Sequence, residues 1–212
     1  MPDPMVRERR IPPLGLPALV GIPPDARGLV VFAHGSGSGR LSPRNNAVAA
    51  QLRAAGLATL LFDLLTPDEA ADRENVFDIA LLASRLADAS RWAGAEPDLA
   101  LLELGYFGAS TGAAAALVAA AEPDSRVVAV VSRGGRPDLA GAALPAVRAP
   151  TLLIVGGDDV TVLELNRRAL ASLRCEKALE VVPGATHLFE EPGALEQVTI
   201  LARDWFLRFF SH

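Results

Sequence analysis

Short, almost uninterrupted apolar runs alternate along this chain with stretches in which apolar residues recur at helical spacing. The runs at 28–33 (GLVVFA), 57–62, 99–107, 126–132 (RVVAVVS), 151–155 (TLLIV) and 179–182 have the length and continuity of strands buried on both faces. The stretches at 45–55, 112–121, 162–173 and 193–210 read as helices. Local signals mark several ends. Gly56 closes the first helix, and Thr66-Pro67-Asp68-Glu69 forms a capping box with proline at the first helical position. That box opens one long helical stretch towards Trp92, which Gly94 closes. Pro12, Pro13, Pro17, Pro23 and Pro24 confine any earlier strands to short pieces at a sheet edge. Strands alternating with helices of this length predict an α/β fold: a mostly parallel central sheet with helices on both faces. No repeat, linker or low-complexity segment divides residues 1–212, so a single domain is expected.

One junction between a strand and a helix carries chemistry. Gly108-Ala109-Ser110-Thr111-Gly112 reads G-x-S-x-G between the apolar run at 99–107 and the alanine-rich stretch at 112–121. A sharp strand-to-helix turn holds the residue at its bend in a strained conformation and lifts its side chain above the sheet. The helix start also directs free N–H groups and a partial positive charge at that position. Ser110 is therefore the candidate nucleophile.

A serine hydroxyl needs a base, and the chain has three histidines. His212 is the last residue and is expected to fray. His34 precedes the glycine-rich loop Gly35-Ser36-Gly37-Ser38-Gly39 and reads as structural, holding that loop. His187, in Pro183-Gly184-Ala185-Thr186-His187, follows the last strand at the sheet edge that carries Ser110, and is the candidate base. The carboxylate that orients it is sought in Gly156-Gly157-Asp158-Asp159. Thr161 and Glu164 form a capping box for the next helix, which leaves both aspartates free. Asp159 is preferred, because two glycines and Asp158 make the turn that returns the next side chain over the sheet. Asp158 and Asp138 are the alternatives. The order Ser, Asp, His is that of hydrolases built on parallel sheets.

Composition narrows the partners. Half of the 212 residues are hydrophobic, and the formal net charge of −5 with a pI near 5.2 argues against nucleic acid. No apolar run reaches the ~18 residues of a membrane span, and no signal-peptide core follows the arginines near the start. The single cysteine, Cys175, excludes an internal disulfide, and a cytoplasmic protein is expected. The loop after His34 lacks the third glycine of G-x-G-x-x-G, where Arg40 stands, and the G-K-S/T of a P-loop. Neither a cofactor nor a metal is called for. A small-molecule ester is the expected partner, and a homodimer is left open.

The strand leading into His34-Gly35, GYFGASTG, IVGGDD and PGATH together resemble the α/β-hydrolase superfamily, and more narrowly its small, lidless, dienelactone-hydrolase-like members. The resemblance runs from about Val30 to the final helix. It implies an acid at G-x-x-D, which falls on Gly156 and Asp159. It also implies an oxyanion hole of two backbone N–H groups, one from Thr111 and the other from Ser36 or Gly37. The dienelactone hydrolases proper use a cysteine nucleophile, whereas this elbow carries Ser110 and Cys175 lies elsewhere. What carries over is ester hydrolysis; acyl transfer, thioester cleavage and a non-catalytic binding protein of the same fold are the alternatives. Lids in the superfamily commonly enter between the strands at 126–132 and 151–155, and only a short segment intervenes here. The pocket is accordingly expected to be open and shallow. Leu64 and Leu65 are expected to line it, with Arg133 placed to bind a substrate carboxylate or else to pair, like Arg136, with Asp138 or Glu122.

Overall fold

The computed structural model describes residues 5–211, so His212 lies outside it. Eight strands form one sheet in the order β1-β2-β4-β3-β5-β6-β7-β8. The proline-rich start supplies an antiparallel hairpin, β1 (Val6–Ile11) and β2 (Leu16–Gly21), whose second strand pairs antiparallel with β4 (Ala58–Phe62). From β4 onward every pairing is parallel, through β3 (Leu29–Ala33), β5 (Leu104–Ala109), β6 (Val127–Arg133), β7 (Thr151–Gly156) and β8 (Lys177–Val182).

The two-residue period of the strands divides the core into two layers. Val30 and Phe32 face the layer covered by α1 (Pro43–Ala54) and α7 (Ala194–Phe209), through Val48, Leu52, Val198 and Phe206. Val31 and Ala33 face the other layer, covered by α4 (Ile79–Ala93), α5 (Thr111–Ala121) and α6 (Val160–Ser172). Alanines 113–116 of α5 are fully buried, which lets that helix lie close against the middle of the sheet. No helix among the described residues is long and apolar enough to cross a membrane.

Four expectations are corrected. The helical stretch opened by Thr66 is not continuous. The capping box forms as expected, but α2 (Pro67–Ala71), α3 (Arg73–Phe77) and α4 are separate, because Asp72 and Asp78 each accept a backbone N–H and cap the next segment. The apolar run at 99–107 begins as turns, with Leu99 N–H and Ala100 N–H both donating to Glu96 O, and becomes a strand only at Leu104. Thr161 does not open α6. The helix starts two residues earlier, at Val160, with Asp159 at the capping position and its side chain engaged elsewhere. Cys175 lies between α6 and β8, half-buried beside Thr151, and not in a helix.

Candidate active site

The C-terminal ends of β3, β5, β7 and β8 bring the predicted residues to one edge of the sheet. At the end of β5, Ser110 has φ 51° and ψ −121°, a strained backbone for a residue with a Cβ. The flanking glycines permit this turn. A Cβ on Gly112 would stand 2.1 Å from Ala33 O, and one on Gly108 would stand 2.4 Å from Ala113 Cα. The peptide groups on either side of Ser110 are both tied down: its N–H donates to Arg133 O and its carbonyl accepts from Arg136 N–H at 3.0 Å.

β7 ends in Gly156, and a Cβ there would lie 2.3 Å from Ala185 O and 2.7 Å from Thr186 O. Only a glycine lets the loop after β8 settle against β7. Asp158 N–H donates to Ala185 O at 3.0 Å, and buried Phe189 anchors the far side of the loop. This seating puts His187 Nδ1 2.7 Å from Asp159 Oδ2. A carboxylate accepts only, so Nδ1 carries the proton and Nε2 is left with its lone pair. The Asp159 side chain is 15% exposed and that of His187 39%, so the acid is shielded while the imidazole meets solvent. Asp158 is exposed, and Asp138 is occupied by a two-pronged pair with Arg136 at 2.8 and 2.9 Å. Of the three aspartates considered, Asp159 is the one brought to His187. Ser110 and His187 make no direct hydrogen bond among the described residues; such contacts often tighten only when substrate binds.

His34 holds the neighbouring loop. Its Nε2 accepts from Leu64 N–H at 3.0 Å, which leaves Nδ1 protonated against Gly35 O at 3.0 Å. Burial lowers its pKa, outweighing the opposing effects of the Gly35 carbonyl and Asp63, so the ring stays neutral and keeps that acceptor. Ser36 N–H donates to Thr111 Oγ1 at 3.1 Å, and Gly37 adopts φ 69° at the turn of the loop.

Ser36, Gly37 and Thr111 border a cavity of about 430 Å³. Its apolar wall includes Leu64 and Leu65, as expected, but also Pro67, Ala70, Val76 and Leu82. The pocket therefore has more apolar wall than Leu64 and Leu65 alone supply. The segment between β6 and β7 is short, a 3-10 stretch at Pro137–Ala146, and the missing wall comes from the broken helices after β4. At the polar end, Arg40 and Asp63 are joined by backbone and side-chain bonds at 2.7 and 2.5 Å, a pair the sequence reading did not single out. Arg133 does not line this cavity. Only 6% exposed, it donates to Asn45 Oδ1 at 3.1 Å and lies over the Phe189 ring at 5.9 Å. Burial, with a lesser push from Arg44, lowers its pKa to about 10. It pairs with neither Asp138 nor Glu122; Arg136 takes Asp138.

No protein-family model matches the chain. Two Mycobacterium tuberculosis proteins, from strains CDC 1551 and H37Rv, are 62% identical to it over 209 residues, 97% of this chain. They carry a provisional phosphoribosyl transferase name, and the chain spans 47% of their length. Among solved structures, a dienelactone hydrolase from Anabaena variabilis is 53% identical, with a TM-score of 0.93 over 98% of this chain and 100% of its own. Est1E from Butyrivibrio proteoclasticus shares the fold at 17% identity and a TM-score of 0.79, over 96% of this chain and 98% of its own. The order of the strands, the elbow and the full-length likeness to the Anabaena protein agree: the chain belongs to the dienelactone-hydrolase-like branch of the α/β-hydrolases.

Proposed function

We propose that this protein is a serine hydrolase of small carboxylic esters, working through an acyl-enzyme on Ser110. The observation that carries the reading is the 2.7 Å contact of His187 Nδ1 with Asp159, which leaves Nε2 as a base on the edge where Ser110 stands. Ser110 Oγ attacks the ester carbonyl while His187 Nε2 takes the hydroxyl proton. The resulting oxyanion is received by the backbone N–H of Thr111 and by the loop at Ser36 or Gly37. Collapse breaks the ester C–O bond, and the alcohol leaves with the proton from His187. Water, deprotonated by the same nitrogen, then attacks the acyl carbon, the C–Oγ bond breaks, and Ser110 recovers its proton.

The cavity beside Thr111 takes the apolar part of the substrate against Leu64, Leu65, Val76 and Leu82. Each buried methylene adds about 0.8 kcal/mol until the chain outgrows that space. Aryl esters from acetate to octanoate, the matching thioesters and the Ser110→Ala variant test the reading. Specificity constants are expected to peak at short acyl chains, exceed those of the thioesters, and fall by several orders of magnitude in Ser110→Ala. Thioesters cleaved faster than esters, or acyl groups passed to an alcohol in preference to water, would move the reading to the alternatives. The phosphoribosyl transferase name belongs to relatives about twice as long. Consumption of a phosphoribosyl donor undiminished in Ser110→Ala would favour it. The proposal places the protein in the cytoplasm, consistent with its one cysteine.

A further inference from the structure

The loop after β3 meets the first turn of α5 through a hydrogen bond that a hole of two backbone donors does not call for. Ser36 N–H, one of the two candidates for the second donor, is given to Thr111 Oγ1 at 3.1 Å. Thr111 is 3% exposed and borders the cavity beside the nucleophile. Its hydroxyl can accept twice and donate once, and among the described residues its proton has no acceptor. A helical threonine usually returns that proton to a carbonyl three or four residues back. Here those residues are Gly108 and Phe107 of β5, which is paired with β3 and β6. A buried hydroxyl with a filled acceptor site and an unused proton, one residue from the nucleophile, is a donor awaiting a ligand.

We propose that Thr111 supplies two donors to the oxyanion, its backbone N–H and its side-chain hydroxyl, and that Ser36 N–H acts through that hydroxyl. Accepting a bond from Ser36 N–H withdraws electron density from Oγ1 and makes its proton a stronger donor. No proton changes owner; the hydroxyl only donates a hydrogen bond as negative charge develops. Gly35 keeps the loop close enough for this, since a Cβ there would meet Ser110 Cβ at 2.9 Å.

The inference rests on the acyl-enzyme reading, and the experiment separates the two. Wild type, Thr111→Val, Thr111→Ala and Thr111→Ser are compared on 4-nitrophenyl acetate and for binding an aryl trifluoromethyl ketone, which forms a tetrahedral oxyanion with Ser110, against the matching methyl ketone. Valine preserves the shape, alanine preserves the helix if valine folds poorly, and serine keeps the hydroxyl. Loss of one oxyanion donor lowers kcat by roughly 100- to 1000-fold. The expected result is such a fall in Thr111→Val and Thr111→Ala with KM changed less than about threefold. Thr111→Ser should retain most of kcat, and trifluoromethyl ketone affinity should fall in parallel with kcat while methyl ketone affinity does not. A fall of less than tenfold in folded Val and Ala variants, or an equal fall in Thr111→Ser, overturns the inference while leaving the acyl-enzyme intact. A loss that appears in KM and methyl ketone binding instead makes Thr111 an anchor for the loop. A wild type that does not turn over the ester removes both readings.

Discussion

Replacing Gly156 by alanine tests whether the approach of one loop to one strand end sets the candidate base. Gly156 does not have a positive φ, so alanine is sterically allowed by its own backbone and the perturbation lies in the neighbours. The new Cβ would stand 2.3 Å from Ala185 O, against an ordinary contact of 3.4 Å or more, so the loop must retreat by 3.4 − 2.3, about 1 Å. That loop carries His187 two residues on, and its bond to Asp159 is already short at 2.7 Å. A misplacement of about 1 Å costs on the order of 100-fold in rate, and overpacking of this kind about 1–3 kcal/mol of stability. Gly157→Ala is the control: its Cβ would meet Val182 O at 3.3 Å, nearly an ordinary contact. Turnover of 4-nitrophenyl acetate and urea unfolding should show a loss in both for Gly156→Ala and changes below about threefold and 1 kcal/mol for Gly157→Ala. A Gly156→Ala enzyme with wild-type turnover and stability would refute the argument, as would equal damage from the two substitutions.

Asp159→Asn should lower kcat by roughly 10⁴-fold by favouring the wrong tautomer, whereas Asp158→Asn and Asp138→Asn should stay within a few fold; the reverse order in steady-state assays would move the acid. His34 has a pKa lowered by burial from the ordinary 6.5, so below pH 6.5 the unfolded chain binds a proton that the fold refuses. Its contribution to stability is whole above pH 6.5 and is lost as pH falls below that value, until the folded pKa is passed. Urea midpoints from pH 7.5 to 5 should therefore fall more steeply for wild type than for His34→Gln; equal slopes would mean that the ring is not held neutral. Arg133→Met should change KM for an acetate ester and for an aryl half-ester of a dicarboxylic acid alike, because the guanidinium is buried on Asn45 outside the cavity. A tenfold rise confined to the charged ester would place Arg133 on the substrate.

The features legible in the sequence are those fixed by local chemistry. Ser110 is marked by its small neighbours and the helix former beyond it, and His187 by a turn after the last strand. Asp159 was separable from Asp158 by counting residues through the turn, although the capping box offered in support does not form: Asp159 itself holds the capping position of α6. Other features depended on partners distant in the chain. The apolar run from Leu99 looks like a strand throughout, but its first residues find hydrogen bonds within the turn after Glu96, and Leu101 is left almost fully exposed. The breaks at Asp72 and Asp78 carried a signal, since aspartate is a strong N-cap, but it was masked by helical spacing on either side. Those breaks decide the site, because they fold Ala70, Val76 and Leu82 back as the cavity wall. Arg133 was expected just past a strand next to the elbow and is instead the last residue of β6; its side chain turns to Asn45, 88 positions earlier.

The proposed hydrolysis turns on the activation of Ser110 by His187 and Asp159. Intact-mass and peptide mapping after reaction with a fluorophosphonate probe tests it directly. One adduct per chain is expected, on Ser110, absent in Ser110→Ala and formed far more slowly in His187→Ala and Asp159→Asn. Labelling at another residue, or labelling of Ser110 at an unchanged rate in folded His187→Ala, would contradict it.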